Sequence, residues 1–157
     1  MKKTLVLAVC LAAVLTVFVS SAQAAGPLNF YIRGGILTVS DFSFDPIFAL
    51  AGANIDFNLG RLSISPECDL ILYNFTFNPA ILLPGALLNF NVGPLYFGAG
   101  AVLPLFIGSG YTLQGDFLFK ANAGLKVGGF KIQAFLLTPF ENFFTFTLIG
   151  ATFGAGF

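Results

Sequence analysis

The sequence predicts an all-β fold: a closed, antiparallel, up-and-down barrel of eight transmembrane strands, preceded by a cleavable signal peptide. Three observations carry this reading. Charged residues are only 9% of the chain and the mean hydropathy is +0.89, whereas about a quarter charged is usual for soluble proteins. Apolar residues recur at every second position through segments of about ten residues divided by turn residues, the pattern of strands in lipid. The last charge is Glu141, and the chain stays apolar to Phe157, although chain ends are usually polar and frayed.

Residues 1–24 read as the signal peptide. Lys2 and Lys3 form a basic start, Thr4 to Val19 an apolar run, and Ala22-Gln23-Ala24 a small-x-small cleavage site. A retained anchor is the rival reading, but the apolar run leads directly into Ser20, Ser21 and the cleavage signal. Cys10 lies too early for a lipoprotein site and follows Val9. The mature chain, 25–157, is one domain. It keeps one cysteine, Cys68, so it has no intramolecular disulfide. Removing Lys2 and Lys3 from seven bases leaves five against seven acids, a net charge of −2. No basic patch is present, which argues against nucleic acid as a partner.

Two architectures satisfy backbone hydrogen bonds in lipid, helices and closed barrels. The uncharged stretch between Asp69 and Asp116 is long enough for a helical hairpin. It contains Pro79, Pro84, Pro94, Pro104, Gly85, Gly93, Gly98 and Gly100, with Asn89 and Asn91 on either side of Phe90. That density of breakers favours strands.

Strand one is expected over Leu28–Val39, with Leu28, Phe30, Ile32 and Ile36 outward and Asn29, Tyr31 and Arg33 inward. Strand two, Ile47–Leu59, turns Ala49, Ala51, Ile55 and Phe57 outward, and Asn54, Asp56 and Asn58 inward. Strand three, Arg61–Tyr73, turns Ile64, Cys68 and Leu70 outward, and Ser63, Ser65, Glu67 and Asp69 inward. Strand four, Ala80–Val92, directs Leu88 and Phe90 to lipid and Asn89 and Asn91 inside. Strand five is Leu95–Leu105, with Tyr96, Gly98 and Gly100 inside. Strand six, Gly115–Val127, places Asp116, Lys120, Asn122 and Lys126 inside. Strand seven, Phe130–Leu137, places Lys131 and Gln133 inside. Strand eight is Phe143–Phe157. Every strand charge falls on the inner face. An Arg or Lys facing mid-membrane lipid costs about 2–4 kcal/mol, which explains the segregation.

Gly60-Arg61, Gly93-Pro94 and Gly128-Gly129 read as tight hairpin turns. Longer connections are expected at Ser40–Pro46, Asn74–Pro79, Phe106–Gln114 and Thr138–Asn142. Short turns at one end and long loops at the other fit a barrel with both termini on the periplasmic side. Pro66, Pro84 and Pro104 fall inside strands, where each is expected to mark a bulge or a strand's fringe.

The inward rows divide into two zones. A polar network comprises Arg33, Asp56, Arg61, Glu67, Asp69, Lys120, Lys126 and Lys131. An apolar upper lumen comprises Leu37, Phe48, Leu50, Ile71, Tyr73, Phe135, Phe144 and Phe146. An eight-stranded barrel is just wide enough for side chains to fill, or for one small ligand. Catalytic, cofactor and metal residues are not identified. There is no His, hence no imidazole base. Gly98-Ala99-Gly100 has no helix after it and is no phosphate loop.

With its signal peptide, eight alternating strands and terminal Phe157, the mature chain resembles the small eight-stranded outer-membrane barrels of Gram-negative bacteria, the group of the OmpA transmembrane domain, OmpX and OmpW. The resemblance implies a protein of the cell outer membrane, its partners being outer-membrane lipid and the barrel-assembly machinery. A monomer is favoured while the oligomeric state stays open, and the lack of His argues for a non-enzymatic role. It implies that Phe153 and Phe157 form the assembly signal. Its loops are shorter and richer in Phe than in OmpA-like and OmpX-like proteins, which argues against adhesin or receptor roles. A structural barrel with a closed lumen is the first expectation. An OmpW-like passive channel or carrier for small hydrophobic molecules is the alternative.

Deleting Phe157 is expected to reduce folded protein in the outer membrane far more than the loss of one apolar side chain, worth about 1.5–3 kcal/mol, would do. Gel mobility of unboiled membrane fractions measures this, and a normal folded yield would refute it.

Overall fold

Alternating apolar residues with glycine turns fold here into antiparallel strands that pair edge to edge around a ring. The computed structural model describes residues 27–39 and 48–157. The signal peptide expected over 1–24 and the connection expected over Ser40–Pro46 lie outside them. The strands are β1 (Leu28–Val39), β2 (Phe48–Leu59), β3 (Leu62–Tyr73), β4 (Thr76–Val92), β5 (Leu95–Val102), β6 (Leu105–Gly108), β7 (Tyr111–Gln114), β8 (Leu118–Val127), β9 (Phe130–Pro139) and β10 (Leu148–Gly156). All pairings are antiparallel. The order runs β3-β2-β1-β10-β9-β8-β5-β4, and β4 pairs with β3 to close the ring. The first and last strands meet from Tyr31↔Gly156 to Val39↔Leu148.

The three predicted tight turns are present. Gly60, Gly93, Gly128 and Gly129 all have positive φ, a conformation glycine adopts without steric cost. They lie at one end of the barrel, called here the turn end. At the other, the loop end, two predicted long connections are instead strand. β3 reaches Tyr73, turns through Asn74 and Phe75 at φ 47 and 59, and returns at Thr76. The register then jumps from Tyr73↔Thr76 to Leu72↔Ala80, so Phe77, Asn78 and Pro79 form a bulge. Asn78 bonds Ser109 through both its amide groups.

Ser109 and Gly110 form the second corrected connection, a two-residue turn between β6 and β7. β5 and β6 make one continuous stave against β4, because Gly85↔Val102 and Leu82↔Leu105 share one register. On the opposite edge β5 pairs with β8 and β6 with β7. Gly115–Phe117 take up the offset, and their Asp116, expected inside, is exposed. Ten strand segments thus build eight staves.

The prolines also differ from expectation. Pro66 faces Ala86 and Pro84 faces Cys68 without any slip in register. Each removes one donor but adds no residue. Only Pro104 marks a break, between β5 and β6, and there its carbonyl accepts from Gly115 N at 2.8 Å. Strand eight is shorter than predicted. β10 begins at Leu148, leaving Phe143–Thr147 in a loop. The ladder to β9 stops at Leu148↔Leu137. Extending it would bring Phe146 opposite Pro139, which has no N–H to give.

Phe75 is a β-preferring residue held in the left-handed region, and its ring is exposed. Left-handed backbone costs a non-glycine residue about 1–2 kcal/mol. Phe75→Gly is therefore expected to stabilise the barrel by about 1 kcal/mol, read from the urea midpoint of the refolded protein. A lower midpoint would mean that the ring contributes more than its backbone costs.

Candidate functional site

The inward rows converge on the lumen, the candidate site. Arg33 rises from β1 at its centre. Its Nη2 donates to Glu67 Oε2 at 2.6 Å and to Asp69 Oδ1 at 2.7 Å, and its Nε donates to Asp69 at 2.9 Å. From β8, Lys120 donates to Glu67 and, at 2.9 Å, to Asp69. These two cations and two carboxylates are buried. Since β8 is not a neighbour of β1 or β3, they tie together walls that share no backbone bonds. Gly52 makes room for this knot. A Cβ there would lie 2.0 Å from Asp69 Oδ1.

Nearer the turn end, Asp56 sits between Lys126 at 2.7 Å and Lys131 at 3.1 Å. It also accepts from Asn54 Nδ2 and Ser65 Oγ, each at 2.6 Å. Asn89 donates to Ser65 at 2.6 Å, and the Tyr96 hydroxyl donates to Gln133 Oε1 at 3.1 Å. Lys126 and Lys131 each lie 5.0 Å from the Tyr96 ring centre, and Lys131 lies 5.0 Å from that of Tyr31. Such cation–π contacts satisfy faces of the ammonium that oxygen does not reach.

Arg61 does not join this network. It occupies the β2–β3 turn and is exposed, because a two-residue turn carries its side chains beyond the wall. The other seven predicted polar residues all reach the lumen, Lys126 at its rim.

Toward the loop end the lumen becomes apolar. Leu37, Leu50, Ile71, Leu83, Val102, Phe135 and Leu137 form one buried cluster, with Phe48, Ile81, Leu118 and Leu148 packed against it. Three predicted members lie elsewhere. Phe144 and Phe146 are 72% and 53% exposed in the loop before β10, because the strand that would have carried them inward has already ended. Phe144 N donates to Thr138 Oγ1 at 3.0 Å, which turns that loop. Tyr73 ends β3 at the rim, 43% exposed, with its ring against Phe48 at 5.7 Å. The buried amides Asn54, Asn89 and Gln133 belong to the lumen as fully as the charges. Their inward alternation with apolar residues was the available signal.

Among the described residues no group of three or more His, Cys, Asp or Glu could hold a metal ion. Cys68 is exposed on the outer face. Phe153 and Phe157 also face outward. Phe153 stacks on Phe130 at 5.7 Å, and Phe157 contacts Phe30 at 6.4 Å. Phe157 N donates to Phe30 O at 2.9 Å, so the last residue extends the closing seam.

A closed ring of eight antiparallel staves has solved counterparts. The N-terminal β-barrel domain of Pseudomonas aeruginosa OprF superposes with a TM-score of 0.50 at 17% identity, over 82% of this chain and 97% of that one. The chain has the fold of an eight-stranded outer-membrane barrel. Neisserial surface protein A matches with a TM-score of 0.50 at 13% identity, over 85% and 97% of the two chains. Ail of Yersinia pestis matches more loosely, with a TM-score of 0.40 at 14% identity, over 82% and 94%. No protein-family profile matches the chain, and no curated protein matches it. At these identities the likeness is one of fold.

Removing one partner from a buried ion network leaves an uncompensated charge, at a cost of about 3–5 kcal/mol. Arg33→Met is expected to destabilise the barrel by that amount in urea titration. A loss below about 1 kcal/mol, the value of an exposed pair, would show that the carboxylates reach water or take up protons.

Proposed function

We propose that the protein is a non-enzymatic integral barrel of the bacterial outer membrane, exported by its signal peptide, whose lumen its own side chains close. One observation carries this reading. The apolar cluster of Leu37, Leu50, Ile71, Leu83, Val102, Phe135 and Leu137 crosses the lumen above the ion-pair knot. An ion entering from the turn end, the periplasmic side in this orientation, meets charges first and then a layer offering no polar atom. Its role is structural: a rigid monomer that occupies and braces the lipid. The assembly machinery recognises its terminal strand, with Phe153 and Phe157 as the signal.

Passage of small hydrophobic molecules is the second reading. The aromatic and aliphatic character of the loop-end lumen favours it, with Phe48 and Tyr73 at the rim. It requires the cluster to part around a guest.

Planar-bilayer recording separates the readings from a conducting channel. The wild type is expected to give no steady openings, whereas Leu83→Gly with Val102→Gly and Leu137→Gly is expected to give stepwise conductance. Reproducible wild-type openings overturn the closed lumen. Native mass spectrometry that finds an apolar guest lost on Phe48→Ser would favour the carrier.

A further inference from the structure

Among the described residues, the lumen charges do not balance. Arg33, Lys120, Lys126 and Lys131 bring four positive charges, and Asp56, Glu67 and Asp69 bring three negative ones. Arg33 and Lys120 are matched by Glu67 and Asp69. The excess lies nearer the turn end, where Asp56 is the one described acid between Lys126 and Lys131, and Lys126 also donates to Asn91 Oδ1 at 3.2 Å. The other described acids, Asp116 and Glu141, are exposed toward the loop end and cannot help. A buried charge is costly unless it is paired.

We propose that this end of the lumen holds one small monovalent anion, of chloride size, beside Lys126 and Lys131. A second observation supports it independently. Gln133 is 1% exposed, and its Nε2 has no hydrogen-bond partner among the described residues. Its orientation is settled chemically: Oε1 faces Arg33 Nη1 at 3.5 Å, and a guanidinium can only donate. The free N–H₂ is therefore a true donor. Gln133 is the next inward residue after Lys131 on β9. It lies across from Gly124 on β8, which is two residues from Lys126. Lacking a side chain, Gly124 leaves its space to the Tyr96 ring, from which a Cβ there would lie 2.7 Å.

The chemistry selects the ligand. Water could accept from Gln133 but leaves the charge in place. A divalent anion would reverse the imbalance. The Tyr31 and Tyr96 rings, each centred 5.0 Å from the Lys131 ammonium, crowd this end and disfavour a large ligand. Entry is from the turn end, where the Lys126 side chain is 20% exposed against 4% for Lys131.

Bromide gives a direct test, because it scatters anomalously where water does not. Crystals of the folded barrel grown in sodium bromide are expected to show an anomalous peak in the lumen within hydrogen-bonding reach of Lys126 or Lys131. Lys126→Met, which leaves three positive and three negative lumen charges, is expected to lose it. In detergent at constant ionic strength, replacing gluconate by chloride is expected to raise the wild-type unfolding temperature by about 3 °C, and that of Lys126→Met not at all. Bromide only on the outer surface, a peak that persists in Lys126→Met, or equal unfolding temperatures in the two salts each overturn the proposal. A conducting wild type would overturn the closed lumen and leave the bromide result standing.

Discussion

Every other feature of this molecule follows from one constraint: in hydrocarbon, backbone N–H and C=O groups find no water to bond. The ring must therefore close. The β1–β10 seam closes it, and Phe157 carries the seam to the last residue by bonding Phe30. Eight staves give a narrow tube, and a narrow tube makes interior space scarce. Gly52 and Gly124 supply it where Asp69 and Tyr96 need it. Long side chains then cross the space. Arg33 and Lys120 start from different walls and meet at the same two carboxylates.

The interior solves two problems in two layers. Strands that must present apolar residues to lipid can place charges only inward, where a buried ion is tolerable only when matched. The knot around Glu67 and Asp69 matches its charges in number and direction. The apolar cluster above it needs no direction, only volume, and draws one or more residues from most staves. Interactions that require specific partners thus sit toward the turn end, and the forgiving interactions toward the loop end.

Much of this was legible in the sequence because a strand's two faces alternate strictly. The inward row that holds Arg33, Asp56, Glu67, Asp69, Lys120 and Lys131 needed only the count of two. The glycine turns were legible because positive φ has few other tenants. Where strands stop was not legible, because pairing depends on a partner that one strand's pattern does not reveal. Asn74–Pro79 has loop composition, yet the chain turns in two residues and bulges out the rest. Phe143–Thr147 alternates like a strand, yet Pro139 across from it offers no donor. Arg61 was misplaced for the same reason: a residue beside a turn glycine can end a strand or belong to the turn.

The layering has an electrical meaning. A voltage across a composite slab divides according to how readily each layer polarises, and most of it falls where polarisation is weakest. In this barrel that place is the thin aliphatic disc around Leu83, Val102 and Leu137. The side chains below it are buried and held in ion pairs, so they can shift only slightly in an applied field. In the knot of Arg33, Lys120, Glu67 and Asp69, two positive and two negative charges cancel, so a potential across the membrane exerts little net force on it. The tube is an insulator along its length, with its fixed charges arranged in opposing pairs.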